Sequence, residues 1–280
     1  MTVSGAARIA GVTGDPVSHS LSPILMQIWI EAAGLDALYA PFPVLPQDFE
    51  TAIRGLAKAG CRGVNVTLPH KEAALEFANA SSSIARAVGA ANLLTFTSAG
   101  IHADNTDIAG FLAALEPANL DYGKTRALVF GAGGAARALV YALLTVGVTK
   151  LAICNRNMTR AQGLARDIAP DADIIPWDAR DDALSGSNLI VNATSLGLNG
   201  NTELVLDWQR VAPGSVAFDS VYTPLNTGFL AGAAGRGLTA IDGLDMLIGQ
   251  ARPSFQAFYG RPVPHVADLR NRLIRVLEAR

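Results

Sequence analysis

Cysteine is nearly absent: Cys61 and Cys154 are the only two in 280 residues. Each lies in an apolar run, too far from the other for a thiolate knuckle, so a disulfide framework is excluded and buried, reduced thiols are expected. Histidine is also sparse. His19, His70, His102 and His265 show none of the close pairings of a zinc site, and no metal is expected. Charge of one sign is missing as well, with 22 Lys and Arg against 24 Asp and Glu for a net −2. That balance argues against nucleic acid or an anionic membrane surface as partner, and no block of like charge reads as a disordered tail. The first ten residues carry one charge, Arg8, and no long apolar core. Neither a secretory signal nor a membrane anchor is expected, which leaves the cytoplasm as the default location.

What is present is an apolar half of the chain, enough for two packed domains. Short β-rich runs alternate with helical patterns, which predicts an α/β protein with mostly parallel sheets. The early units are a strand at 9–14, a helix at 23–33, a strand at 38–43, a helix at 47–59, and strands at 63–66 and 92–97. In the first helix Ile24, Leu25, Ile28, Trp29 and Ala32 form one apolar stripe, and Gly34 stops it. Ser22 and Pro23 have the chemistry of an N-cap and the first helical residue.

A second series starts with a strand at 126–130 that runs into Gly131-Ala132-Gly133-Gly134-Ala135-Ala136 and a helix of small apolar residues to 146. Strands at 151–154, 188–192 and 215–219 follow, with a helix from Thr159. This succession predicts a Rossmann-like dinucleotide-binding domain. In such a turn the backbone approaches a pyrophosphate with no Cβ in the way, and helix N-terminal amides bind it. A glycine turn serving only tight packing is the alternative. The last forty residues predict two helices broken at 260–264, packing back on the first domain.

At the end of the next strand an NAD site usually carries an acid for the adenosine ribose. Here the sequence is Asn155-Arg156-Asn157-Met158-Thr159-Arg160, with no acid. Two guanidiniums four residues apart can face one anion across a first helical turn, which favours the 2′-phosphate of NADP. The plainer reading is a pair of solvated arginines.

Three polar clusters fall at strand ends or helix starts: Ser20-Leu21-Ser22-Pro23, Asn65-Val66-Thr67-Leu68-Pro69-His70-Lys71 and Asn105-Thr106-Asp107. Open α/β sheets gather ligand groups at such places. With the glycine turn, Asn192-Ala193-Thr194-Ser195-Leu196-Gly197 and Gln250, they resemble the shikimate dehydrogenase family, in order and across nearly the whole chain.

The resemblance implies reversible reduction of 3-dehydroshikimate to shikimate with NADP(H), by a monomer or homodimer. Two domains are implied: 1–107 plus 243–280 for the substrate, 108–242 for NADP, separated by a cleft. Lys71 and Asp107 match the catalytic pair. An ammonium beside the carbonyl oxygen can stabilise the developing alkoxide and give up its proton, while a carboxylate orients it. On residue type alone, Lys71 also fits a surface lysine, and Asp107 a helix-start acid favoured by the dipole.

Ser20, Ser22, Thr67, Asn92, Tyr222 and Gln250 match substrate-contacting positions; capping alone remains open for Ser22, and a core tyrosine for Tyr222. Gly131, Ala132, Gly133, Gly134, Ala135, Asn155, Arg156, Arg160, Thr194, Ser195, Leu198 and Gly243 match cofactor-binding positions. Departures are Leu93, Asn157 where threonine is common, and Leu198 for a frequent methionine. Phe258-Tyr259-Gly260 also replaces a common Trp-Thr-Gly. Rival readings are a quinate or dual quinate/shikimate enzyme using NAD, and a dinucleotide-binding protein without catalysis.

Overall fold

The computed structural model describes residues 3–279. The chain folds into two compact units, one running through Thr106 and rejoined from Gln250 onward, the other spanning Asp107–Gly249.

The first unit starts with β1 (Arg8–Gly14), α1 (Ser22–Ala32), β2 (Ala37–Pro43), α2 (Phe49–Lys58) and β3 (Gly63–Val66). It continues with α3 (Lys71–Phe77), β4 (Ala80–Ser81), α4 (Ser83–Val88), β5 (Leu93–Thr97) and β6 (Gly100–Asp104). Helix α1 buries Leu25, Met26, Trp29 and Ile30, spaced to share one face, and ends before Gly34 at φ +60°. Helix α2 buries Phe49 and Ile53 against a core that includes Val64, Val66, Leu94 and Ile101. Ser82 caps α4 by accepting from the Ala85 amide, and Gly89 closes it in the left-handed conformation.

The sheet order is β2-β1-β3-β5-β6-β4. Pairing is parallel except where β5 meets β3 and β6, so β5 alone runs against the rest. The reversal comes from a tight β5–β6 hairpin. Strand β6 is absent from the sequence expectation because only Ile101 and Ala103 point inward, too short an alternation to mark a strand.

The second unit contains α5 (Asp107–Leu115), β7 (Arg126–Phe130), α6 (Gly134–Thr145), β8 (Lys150–Cys154), α7 (Met158–Ile168) and β9 (Asp173–Ile175). Then come α8 (Arg180–Leu184), β10 (Leu189–Asn192), β11 (Val216–Asp219), α9 (Gly228–Gly235) and β12 (Thr239–Ile241). The strands are all parallel, in the order β12-β11-β10-β7-β8-β9. Renumbered from β7 this is 3-2-1-4-5-6, the doubly wound order whose direction reverses between its first and fourth strands. The central strands β7 and β10 are buried on both faces, as parallel strands under helices must be. The edge strands β9 and β12 are three residues long and largely solvated, which is why no apolar run announced them.

Helix α10 (Leu244–Tyr259) begins in the second unit and ends in the first; α11 (Leu269–Glu278) follows. Residues 107 and 243–249, grouped with the first domain on sequence, fall in the second unit. The reason is local: Gly249 of α10 lies so close to α5 that an added Cβ would be 2.9 Å from the Gly110 Cα. Among the described residues no helix is long and apolar enough to cross a membrane. Both cysteines are free and buried, and burial pushes the Cys154 thiol up to about 11.

Candidate functional site

In the first unit polar residues follow the C-terminal ends of β1, β3 and β6, and Asn92 precedes β5, which runs the other way. Strand β3 ends at Val66, and the Thr67 amide donates to the Thr13 carbonyl of β1 at 2.9 Å. The loop then turns by a bond from the His70 amide to the Thr67 carbonyl. His70 is fixed in turn by a 2.7 Å contact between its Nε2 and the Val44 carbonyl, and it stacks on Phe49 with ring centroids 4.6 Å apart. Lys71 therefore starts α3 from a rigid base, half-buried, with its carbonyl accepting from the Ala91 amide at 2.8 Å.

Asn92 and Gln250 meet in one buried network whose third member is Thr106. The Asn92 Oδ1 accepts from the Thr106 amide at 2.7 Å, and its Nδ2 donates to the Thr106 Oγ1 at 3.0 Å and to the Gln250 Oε1 at 3.4 Å. The Thr106 hydroxyl also reaches Gln250 Oε1 at 3.3 Å. These neutral groups suit a polyhydroxylated ring because they donate and accept without importing charge. Asp107 follows Thr106 in the chain, is 4% exposed and opens α5, where the helix dipole favours a carboxylate.

Asn65 belongs to the same motif as Lys71 but has a structural task. It accepts from Tyr39 and donates to the Asn92 carbonyl and to Ser254, linking β2, β3, the start of β5 and α10.

At Ser20 and Ser22 the structure corrects the capping expectation. Helix α1 begins at Ser22 itself, its N-cap position is Leu21, and no side-chain cap is made there. The bond runs the other way: Ser20 Oγ accepts from the Ser22 amide at 3.2 Å. Local polar bonding selects the earlier serine because Leu21 has already entered helical backbone angles.

In the second unit the glycine turn leaves β7 at the switch point, where β7 lies between β8 and β10. Gly131 has φ +119°, donates to the Cys154 carbonyl, and would bring a Cβ to 2.9 Å from the Ala193 carbonyl oxygen. A Cβ on Gly133, by contrast, would meet nothing within 4 Å. Gly133 is also the N-cap of α6, with no side-chain cap. The first glycine is thus demanded by backbone shape and packing, whereas the second leaves an open face over helix amides that a pyrophosphate fits. Ala132 is buried, and Gly134 and Ala135 form the first turn of α6. An ion pair at 3.1 Å from Arg137 to Asp167 ties α6 to α7, and this hydrogen bond holds the Asp167 carboxyl below the usual range.

Arg156 and Arg160 are both exposed beyond β8, and no acid lies between them. The helical i, i+4 spacing expected of them is not what forms. Helix α7 starts at Met158 with Asn157 as N-cap, its side chain accepting from the Arg160 amide at 3.1 Å, so Arg156 precedes the helix. Asn155 donates to the Asn157 carbonyl at 2.9 Å and stiffens the same turn. Asn157 thus supplies the cap that a threonine would otherwise give.

Thr194, Ser195 and Leu198 lie on the loop after β10; Ser195 is exposed and the other two half-buried. Tyr222, on the loop after β11, is half-buried. Gly243 is a packing glycine in this structure: a Cβ there would sit 2.3 Å from the Ser220 carbonyl oxygen.

Asp219 is a buried group whose role the sequence left unread. Burial pushes its carboxyl up to about 7 against the donors around it. A charged residue closing an otherwise apolar strand, Val216-Ala217-Phe218-Asp219, was the signal available. Among the described residues no group of His, Cys, Asp and Glu could hold a metal.

Comparisons with known proteins agree over the whole length. Residues 12–94 match the family model of the shikimate dehydrogenase substrate binding domain, and residues 114–203 that of shikimate / quinate 5-dehydrogenase. A protein of Maricaulis maris (strain MCS10) named shikimate dehydrogenase (NADP(+)) is 71% identical over 280 residues, covering 100% of both chains. The crystal structure of shikimate 5-dehydrogenase from Thermus thermophilus in complex with NADP(H) and shikimate is similar with a TM-score of 0.85 and 32% identity, over 96% of this chain and 99% of that one. Quinate dehydrogenase from Corynebacterium glutamicum in complex with NAD has the same TM-score, 0.85, at 28% identity over 96% of this chain and 99% of that one. With both halves matched in order and a near relative identical at seven positions in ten, the chain belongs to the shikimate dehydrogenase family.

Proposed function

We propose that this chain catalyses the reversible, NADP-dependent reduction of 3-dehydroshikimate to shikimate, a step toward aromatic amino acids. The observation that carries this reading is the end-to-end likeness to a relative of that name. The open face at Gly133 and the exposed Arg156 and Arg160 support the cofactor half. The Asn92–Thr106–Gln250 network supports the substrate half.

Bound NADPH supplies the hydride that adds to the substrate carbonyl carbon. Lys71 gives the proton to the carbonyl oxygen as the C–O π electrons move onto it, and takes that proton back in the oxidative direction. An ammonium there also stabilises the oxyanion before the proton arrives. Asp107 pairs with it in the mechanism, orienting the lysine or the substrate hydroxyls. Ser20 and Ser22 hold the carboxylate through neutral donors, while Thr67, Asn92, Gln250 and Tyr222 read the ring hydroxyls. Gly131 to Ala135 receive the pyrophosphate, Asn155, Arg156 and Arg160 the 2′-phosphate end, and Thr194, Ser195 and Leu198 the nicotinamide end. The reaction runs in the cytoplasm, in a monomer or homodimer; sedimentation velocity distinguishes the two.

Steady-state assays with shikimate and quinate, each paired with NADP and NAD, test the reading. The highest kcat/KM is expected for shikimate with NADP; quinate with NAD in first place would replace this function by the rival one. Within the same assay, Arg156→Ala is expected to raise KM for NADP about tenfold and leave that for NAD unchanged, the effect of losing one charge-assisted phosphate bond. An unaltered NADP-to-NAD ratio removes Arg156 from 2′-phosphate recognition.

A further inference from the structure

The loops after β10 and β11 are held to each other through one buried carboxylate. Asp219 is 0% exposed at the end of β11. Its Oδ1 accepts from the Asn192 Nδ2 at 2.9 Å and from the Val221 amide at 2.9 Å, and its Oδ2 accepts from the Thr227 hydroxyl at 2.7 Å.

Each partner extends the reach of that group. Asn192 Oδ1 accepts from the Thr194 amide at 3.0 Å and from its hydroxyl at 2.7 Å, while the Thr194 hydroxyl receives the Leu196 amide at 3.0 Å. The Val221 bond fixes the residue before Tyr222. Thr227 caps α9 by accepting from the Leu230 amide. The Asn199 amide donates to the Thr223 carbonyl at 2.7 Å, joining the two loops a second time. A carboxylate taken wholly out of water is expensive unless its bonds are needed, and here all three serve loop geometry.

We propose that Asp219 is a positioning residue that sets the nicotinamide-side loops, fixing Thr194, Ser195 and Leu198 through Asn192 and the backbone at Tyr222 through Val221. The proposal rests on the reading of those residues as cofactor and substrate contacts. What the site requires is the acceptor geometry of Oδ1, so the amide of asparagine is the conservative replacement. It keeps both Oδ1 bonds and turns an N–H toward Thr227 Oγ1, which can accept.

The experiment compares Asp219→Ala, Asp219→Asn and Thr227→Val in the full chain. NADPH affinity is read by nucleotide fluorescence, kcat and both KM values by steady-state assay, and folding by thermal melting. Asp219→Ala is expected to weaken NADPH binding about tenfold and lower kcat, Asp219→Asn to stay within about threefold of wild type, and Thr227→Val to weaken binding about threefold. A folded Asp219→Ala with wild-type NADPH affinity and kcat overturns the proposal, as does an asparagine variant as impaired as the alanine one. A merely structural role would lower the melting temperature and the active fraction but leave the NADPH dissociation constant of the folded protein unchanged. If Asp219→Ala does not fold, the other two variants decide: the expected rescue by asparagine with weakened binding in Thr227→Val supports the proposal, and any other pairing overturns it. Wild-type turnover of NADPH with 3-dehydroshikimate reports separately on the functional reading, because its absence defeats that reading whatever the variants do.

Discussion

Lys71→Ala is expected to lower kcat by about a hundredfold or more, the usual contribution of a positioned acid–base group. The effect should fall on turnover. The backbone that carries Lys71 is held independently of its side chain, by the Ala91 amide on the Lys71 carbonyl and by His70 between Phe49 and the Val44 carbonyl. An alanine at the start of a helix is easily accommodated, so the variant should melt within a few degrees of the wild type. KM for NADP should be unchanged, because the pyrophosphate and 2′-phosphate positions lie on other elements. A variant turning over at close to the wild-type rate would remove Lys71 from the proton transfer. Loss of activity together with loss of the melting transition would point to folding instead.

Gly131→Val is expected to weaken NADPH binding strongly, by a different route. Two penalties coincide at this residue: a φ of +119° that a β-branched side chain resists, and a Cβ that would stand 2.9 Å from the Ala193 carbonyl oxygen. Backbone strain of this kind costs about 1–3 kcal/mol. The collision adds to it, so a loss of roughly a hundredfold in NADPH affinity is expected. Ala193 precedes Thr194, so relief of the clash also displaces the loop assigned to the nicotinamide end. Gly133→Ala is the control. Its Cβ meets nothing in the protein, so it should fold normally and lose affinity only where the nucleotide itself must approach. Fluorescence titration with NADPH measures both, and a wild-type dissociation constant in Gly131→Val would show that the turn is not the dinucleotide site.

Strong signals survived translation into structure almost unchanged. The strand expected at 126–130 is β7, and its glycine turn and helix follow as read, because an unbroken apolar run, a turn that only glycine can make and a run of small helix formers all agree. Weak signals did not. Strands β4, β6, β9 and β12 escaped because each is two to five residues long with few inward side chains. Their pairing is supplied by neighbours distant in sequence. The Ser22 cap failed for a related reason, since serine followed by proline fits a helix start in general while the chain entered helical angles one residue earlier.

The sequence by itself determined the α/β class, the two series of elements, the glycine turn, the absence of an acid beside Arg156 and Arg160, and the family, since these depend on residue types at short spacings. The tertiary structure decided which polar residues share a network. Thr106 joins Asn92 and Gln250 across 144 positions of chain, and Asp219 joins Asn192 at the end of β10 to Thr227 at the start of α9. Hydrogen bonds of about 3 Å demand a precision in three dimensions that no spacing along the chain encodes. They depend on the fold bringing strand ends, loops and a helix that are distant in sequence to the same place.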